Sequence, residues 1–384
     1  METPFNFDDI RTLYDSEVPE TIDQLINDPH FQRAAEPLVQ PLTWEKFAAA
    51  MKNCETKEQF QRNIIYPTVT KIIKETTSEL KGFEWDNIEN GTSYVYISNH
   101  RDIVLDAGFL NMLFFDKHIP TTEIAIGDNL LIYPWIEKLV KLNKSFIVKR
   151  GVSVRQMLEE SKKLSLYIHD TVENRNQSVW ISQREGRAKD SNDKTQTGLL
   201  KMLTLADSSN PMEALKRLRI LPIAISYEFD PCDYLKAKEF QLKRDHSDYK
   251  KSQADDIENM ITGIMGYKGR VHFKFGECIN EKLDQLAPNL GRNELLDAVA
   301  DIIDKEIYRN YEFFPFNYVA YDLMTESNTF SEQYTQENQD EFDSYLQKQI
   351  EKIHIPNKDE DFLRHKLIEM YGNTVKNQLL TTEE

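Results

Sequence analysis

The chain has 384 residues, 40% of them hydrophobic, and a formal net charge of −17. That is enough apolar material for one large α/β domain with helical additions, or for two modest domains, and it excludes disorder as the default. The negative charge argues against nucleic acid as a general partner, because phosphate backbones demand clustered Lys and Arg.

Acids rather than a basic stretch open the chain (METPFNFDDI), and no apolar run nears the roughly 18 to 20 residues that span a bilayer. A protein neither secreted nor integral to a membrane is expected. Residues 1–90 read as a helical layer, with Thr43 capping WEKFAAAMK and Thr56-Lys57-Glu58-Gln59 forming a capping box. From Thr92 the texture changes to short β-rich runs, SYVYIS, TEIAIG, SFIVK, SVWIS, ILPIAISYEF and VHFKF, alternating with amphipathic helices, of which Val152 to Asn174 is the clearest. This predicts an α/β fold, a mostly parallel sheet with helices on both faces, over residues 91–280, with N-terminal and C-terminal helical extensions. Beyond Glu281 helices are again expected, through NELLDAVADIIDKEIYRNY, through DEFDSYLQ to Ile353, and from Asp359 to Leu380. The polar, glycine-free stretch Thr325 to Gln339 is expected to be a mobile connection within this C-terminal region, 281–384. Cys54, Cys232 and Cys278 lie far apart with no C-x-x-C pair. Neither a disulfide framework nor a metal site is signalled, and a reducing compartment fits.

Charge is unevenly spread. From Asp301 onward there are 18 acids against 8 bases, more than half of the net negative charge. Between Asn129 and Arg155 the balance reverses: Lys138, Lys141, Lys144, Lys149, Arg150 and Arg155 are opposed only by Glu137. Such a local basic face suits an anionic small substrate or headgroup; the competing reading is a solvated helix face.

The run SYVYIS leads directly into Asn99-His100-Arg101-Asp102 and then into the apolar stretch IVLDAGFLNMLFF. This puts a histidine at the carboxyl end of a strand, where open α/β sheets place their ligands. A carboxylate close by, Asp102 or Asp106, can hold the imidazole in one tautomer while its other nitrogen takes a proton from an alcohol. No serine or cysteine lies in an elbow motif, so direct attack by a substrate hydroxyl is implied, with no covalent enzyme intermediate.

Four blocks over about residues 92–230 resemble, in order, those of the glycerolipid acyltransferase family, which includes glycerol-3-phosphate and lysophosphatidate acyltransferases. SNHRDIVLD resembles the family's histidine, four arbitrary residues and an aspartate, here with five residues between His100 and Asp106. The resemblance favours Asp106 as the partner, with Asp102 as the alternative, and Arg101 matches the His-Arg start of the glycerol-3-phosphate branch. GDNLLIYPWIEKLVKLNKSFIVKR resembles the Phe-Ile-x-Arg block, with Lys149 in the strict basic position and Arg150 one residue later. VWISQREGRAKDSNDKTQTG resembles the Glu-Gly-x-Arg block through Glu185, Gly186 and Arg187, and ILPIAISYEFD resembles the proline-containing strand through Pro222.

The resemblance implies that His100 is the general base, Asp106 its stabiliser, and Arg101, Lys149, Arg150, Glu185, Gly186, Arg187 and Pro222 the substrate-binding set. Backbone N–H groups at the helix start after His100 are expected to hold the oxyanion. It implies an acyl-CoA or acyl carrier protein donor, a glycerol-phosphate-type acceptor such as glycerol-3-phosphate or lysophosphatidate, no cofactor, and phospholipid biosynthesis. A cytoplasmic enzyme touching the inner face of the membrane is expected, because acyl chains are poorly soluble. LLIYPWIEKLVKLNK and NMLFF are the candidate lipid contacts, and core packing is the competing reading of both. Other readings remain: the same mechanism on another lipid alcohol (an amino-acid lipid or lyso-glycolipid), or a catalytically silent lipid or acyl-carrier-protein binding module.

Overall fold

The computed structural model describes residues 6–151 and 153–382. Seven strands form one sheet: β1 (Thr77–Phe83), β2 (Val95–Ser98), β3 (Glu123–Gly127), β4 (Ser145–Val148), β5 (Val179–Ser182), β6 (Ile220–Tyr227) and β7 (Gly269–Phe275), in the order β1-β7-β6-β2-β5-β3-β4. The block β6-β2-β5-β3-β4 is parallel throughout, whereas β7 runs antiparallel to β6 and carries β1 parallel to itself. All six expected strands are present. The seventh, β1, lies within the stretch read as helical: TSELKGF is built of Glu, Lys and Leu, good helix formers, and tertiary pairing to β7 overrides that preference.

Central strands are apolar on both sides because helices cover both faces. On one face Val95, Ile97, Val179 and Ile181 pack with Leu164, Ile168, Leu295, Val299 and Ile303 from the helices Val154–His169 and Arg292–Arg309. On the other, Tyr96, Trp180, Ile223 and Phe273 pack with Ile72 and Phe109 from the helices Tyr66–Thr76 and Leu105–Asp116. The helix expected from Val152 is thus observed from Val154, and Val152 itself lies outside the described residues.

Two further apolar clusters hold the additions. N-terminal helices pack through Val18, Leu25, Phe31, Phe47, Met51 and Phe60. Thr43 and Thr56 cap as expected, accepting from the N–H groups of Lys46 and Gln59 at 3.5 and 3.1 Å, while the Gln59 side chain reaches back one residue further than a box requires, to Glu55 N at 2.7 Å. C-terminal helices Pro315–Thr325, Gln336–Glu351 and Glu360–Leu379 pack through Phe316, Phe342, Leu346, Leu363 and Leu367. The connection between the first two is pinned rather than loose: Asp322 accepts from Ser327 Oγ at 3.0 Å, Phe330 N at 3.0 Å and Tyr334 OH at 3.0 Å.

Candidate active site

At the carboxyl end of β2 the chain leaves the sheet through Asn99, whose side-chain amide replaces the lost strand pairing: its Nδ2 donates to Ile225 O at 2.9 Å and its Oδ1 accepts from Ile225 N at 2.8 Å. The next residue, His100, emerges at the strand end with its Nδ1 2.8 Å from Asp106 Oδ2. That oxygen also accepts the N–H groups of Arg101 at 2.7 Å and Asp102 at 3.0 Å, so the carboxylate is locked from three sides in a fully buried position. With this oxygen, already an acceptor of two backbone N–H groups, accepting from Nδ1–H as well, the lone pair lies on Nε2, for which no described residue is a partner. The side chain is 13% exposed on this edge, and the ring of Trp180 meets the imidazole edge-on at 5.9 Å.

The two candidate orienting carboxylates are therefore separated by geometry. Asp102 Oδ1 accepts from Val104 N at 2.8 Å and Leu105 N at 2.7 Å and so caps the helix Leu105–Asp116. Burial, then the neighbouring Asp106 charge, push its carboxyl above the usual range. A methyl group at Gly263, on the helix Gln253–Met265, would overlap Asp102 Oδ2, so that helix lies directly against the turn that carries His100. This arrangement narrows the expectation that N–H groups after His100 hold an oxyanion. Those of Arg101, Asp102, Val104 and Leu105 are already donated to carboxylates, leaving Ile103 N in that run.

The expected substrate-binding set divides. Arg150 links three strand ends: its N–H donates to Asp128 Oδ1 at 3.1 Å after β3, and its Nη1 lies 3.1 Å from Glu185 Oε1 after β5. A Cβ at Gly127 would come within 2.8 Å of Arg150 Nε, so that glycine makes room for the guanidinium; the sequence reading did not single it out for this. Gly186 has φ +68° with open space around it, so the position needs glycine for backbone conformation rather than for close approach.

Four residues depart from their expected places. Lys149 points away to an ion pair with Asp9 and to Glu160 at 3.4 Å. Arg101 is buried, with Nη2 2.9 Å from Asp193 Oδ2. Arg187 turns inward and donates to Asn259 Oδ1 at 2.8 Å. Pro222 sits inside the sheet opposite Ile97, three residues or about 10 Å short of His100 along the strand direction, and its carbonyl accepts Gly276 N at 2.8 Å.

The basic face is likewise partly tied up within the fold, with Lys141, Lys149 and Arg150 each paired to a carboxylate. Lys141 meets Glu137 at 2.9 Å, and Lys144 donates to Thr121 Oγ1 at 2.9 Å. Nor is NMLFF a lipid contact: Met112, Leu113 and Phe114 are core residues, because the helix carrying them is apolar all round and therefore buried. In the other candidate, Trp135 packs on Phe31 of the N-terminal cluster, and Tyr133 stays exposed. Among the described residues no helix is long and apolar enough to cross a membrane, and no cluster of metal-binding side chains is found.

The Acyltransferase family model matches residues 83–226, from the end of β1 to the penultimate residue of β6. No curated protein matches the chain. Among solved structures, the 1-acyl-sn-glycerophosphate (LPA) acyltransferase PlsC from Thermotoga maritima aligns with 76% of this chain and 93% of its own, at 12% identity and a TM-score of 0.37, too distant to bear on substrate or mechanism. The segment matched by the family model contains the His100–Asp106 turn, Arg150 and the Glu185–Arg187 loop, and over that segment the chain is similar to the Acyltransferase family.

Proposed function

We propose that the protein moves a fatty acyl group from a thioester, acyl-CoA or acyl carrier protein, to the hydroxyl of a glycerol-phosphate-type acceptor, glycerol-3-phosphate or lysophosphatidate. The observation that carries this reading is the His100 Nδ1 to Asp106 Oδ2 contact of 2.8 Å, which leaves Nε2 without a partner among the described residues, beyond the carboxyl end of β2. Nε2 takes the acceptor's proton as its oxygen bonds to the thioester carbon, and Asp106 stabilises the imidazolium that forms. The tetrahedral intermediate then expels the thiolate, which takes the proton back from His100. Ile103 N is the backbone donor available to the oxyanion. The Arg150 guanidinium is the phosphate ligand at this edge, exchanging the exposed Glu185 carboxylate for the acceptor's phosphate. A peripheral membrane location on the cytoplasmic side is part of the same reading, with Val104, 41% exposed in the turn after His100, as the apolar side chain that a lipid surface would cover.

With Arg101 and Arg187 turned inward and Lys149 paired to Asp9, Arg150 alone of the four basic residues in the expected binding set faces the headgroup. That favours, as a second reading, a lipid alcohol with less anionic charge, such as an amino-acid lipid or lyso-glycolipid. The test is transfer of radiolabelled acyl from acyl-CoA and from acyl carrier protein to glycerol-3-phosphate and, separately, to lysophosphatidate, with wild type and His100→Ala. Product with one acceptor, lost in the variant, supports the reading and identifies the branch. Activity retained in His100→Ala places the chemistry elsewhere, and no product from folded wild type in the presence of lipid moves the proposal to another alcohol or to a silent binding module.

A further inference from the structure

Arg101 follows the candidate base directly, yet its side chain runs away from the open edge into the protein. Its Nη2 lies 2.9 Å from Asp193 Oδ2 and 3.5 Å from Tyr311 OH, and its guanidinium is 5.8 Å from the Tyr311 ring centre. Asp193 is fully buried; its carboxylate accepts Tyr311 OH at 3.4 Å, and its backbone carbonyl accepts the Tyr308 hydroxyl. Asp193 belongs to the loop after β5 that also carries Glu185, Gly186 and Arg187. That loop is tied a second time to the helix Arg292–Arg309, through Thr195 N and Oγ1 on Asp304 Oδ1 at 2.8 and 2.6 Å. It is tied once to the helix Glu360–Leu379, through Asn373 Nδ2 on Asp190 O at 2.9 Å.

A buried ion pair is a poor source of stability, because desolvation offsets its attraction; its best-attested use is to fix one arrangement among several. This pair is also incompletely satisfied. Arg101 Nη1 and Asp193 Oδ1 are buried without a partner among the described residues, a cost that stability alone gives no reason to carry.

We propose that Arg101 and Asp193 are positioning residues for acyl transfer: a strut that fixes the His100 turn relative to the Glu185–Arg187 loop, with the C-terminal helices clamping its far end. The proposal rests on the reading of His100 as the general base, and it makes the C-terminal region part of the site's scaffold.

The experiment uses the full chain as wild type, Arg101→Met, Asp193→Asn and the double variant Arg101→Met/Asp193→Leu. Measured are Tm, kcat and KM for transfer, and amide hydrogen exchange over residues 100–106 and 184–196. Each single variant strands a buried partner and loses stability, while the apolar double variant recovers it. In the recovered double variant kcat is expected to fall at least ~10-fold, as misplaced catalytic groups lose rate, and exchange in both segments is expected to rise together. A double variant with wild-type Tm and wild-type kcat overturns the proposal, as does exchange that rises in one segment alone. Were wild type to show no transfer at all, the reading of His100 would fall on that result. Joint loosening of the two segments would still establish the strut, and independent loosening would dismiss it.

Discussion

Lys149 and Arg150 are neighbours in the chain with opposite surroundings. Lys149 is held by Asp9 and Glu160, whereas Arg150 faces the site edge opposite the exposed Glu185. Arg150→Ala is expected to raise acceptor KM about 10-fold or more with a smaller effect on kcat, since a charge-assisted pair to phosphate contributes about 1.5–3 kcal/mol. Lys149→Ala should leave acceptor KM within about twofold, and steady-state kinetics on the two variants separates them. A reversed pattern would return the phosphate to Lys149. Gly263→Ala tests the other side of the turn: its methyl displaces the Asp102 carboxylate that caps the following helix. A loss of about 1–3 kcal/mol in denaturant unfolding together with a reduced kcat is expected; an unchanged rate would detach that helix from the site. The pairing of His100 with Asp106 was legible as one of two options, because both carboxylates lie within reach and only the helix geometry decides which one turns back. Asp193 left no signal in the sequence, since a buried aspartate in a polar loop reads like any solvated one. The inward turns of Arg101 and Arg187 were equally invisible, for the direction of a long side chain depends on partners more than 70 residues away.

Elements were legible where periodicity was strong and were missed where tertiary pairing overrode it. The five parallel strands and β7 stood out as β-branched and aromatic runs. The edge strand β1 did not, its charged residues reading as helix. The helix Leu105–Asp116 shows a different ambiguity: an all-apolar stretch fits a core or a lipid surface equally well in sequence. The structure places Phe114 fully buried among Tyr96, Trp85 and Phe275, with ring centres 5.2 to 6.3 Å apart. Phe114→Ala should therefore cost about 3–5 kcal/mol in equilibrium unfolding and leave vesicle binding by the folded fraction unchanged. Near-neutral stability with weakened vesicle binding would reinstate this helix as a membrane contact.

At the scale of the whole molecule, the C-terminal helices are joined to the sheet-bearing half by a buried polar knot. Asp233 Oδ2 accepts Tyr345 OH at 2.6 Å and Tyr371 OH at 2.9 Å, and Tyr371 OH also accepts Asp230 N at 3.1 Å, with Lys236 paired to Asp230 alongside. Burial, reinforced by the Asp230 charge, pushes the Asp233 carboxyl up to about 7. Because its folded value lies above the unfolded one, near 3.8, the folded state binds the extra proton between those limits. The stabilisation is complete below about pH 4 and is lost as pH rises through about 7. Denaturant unfolding at pH 5 and pH 8 should therefore show a smaller difference in Asp233→Asn than in wild type, by on the order of a few kcal/mol. Equal differences in the two proteins would mean that Asp233 does not titrate in that window. Acidic composition had marked this region in the sequence, but the knot depends on tyrosines spread over two helices and had no local signature.

The two rims of the sheet are closed by different means. On β1 a register irregularity between Thr77 and Glu79, followed by Lys81, gives a kinked and charged rim. On the other side β4, SFIV, is apolar, and the N–H of its Ile147 is taken at 2.8 Å by the carbonyl of Ile10. A few residues near the start of the chain thus act as a selvedge on a sheet that would otherwise fray into its neighbours. Trimming them beyond Ile10 would bare an adhesive border and turn a discrete particle toward strand-to-strand self-association.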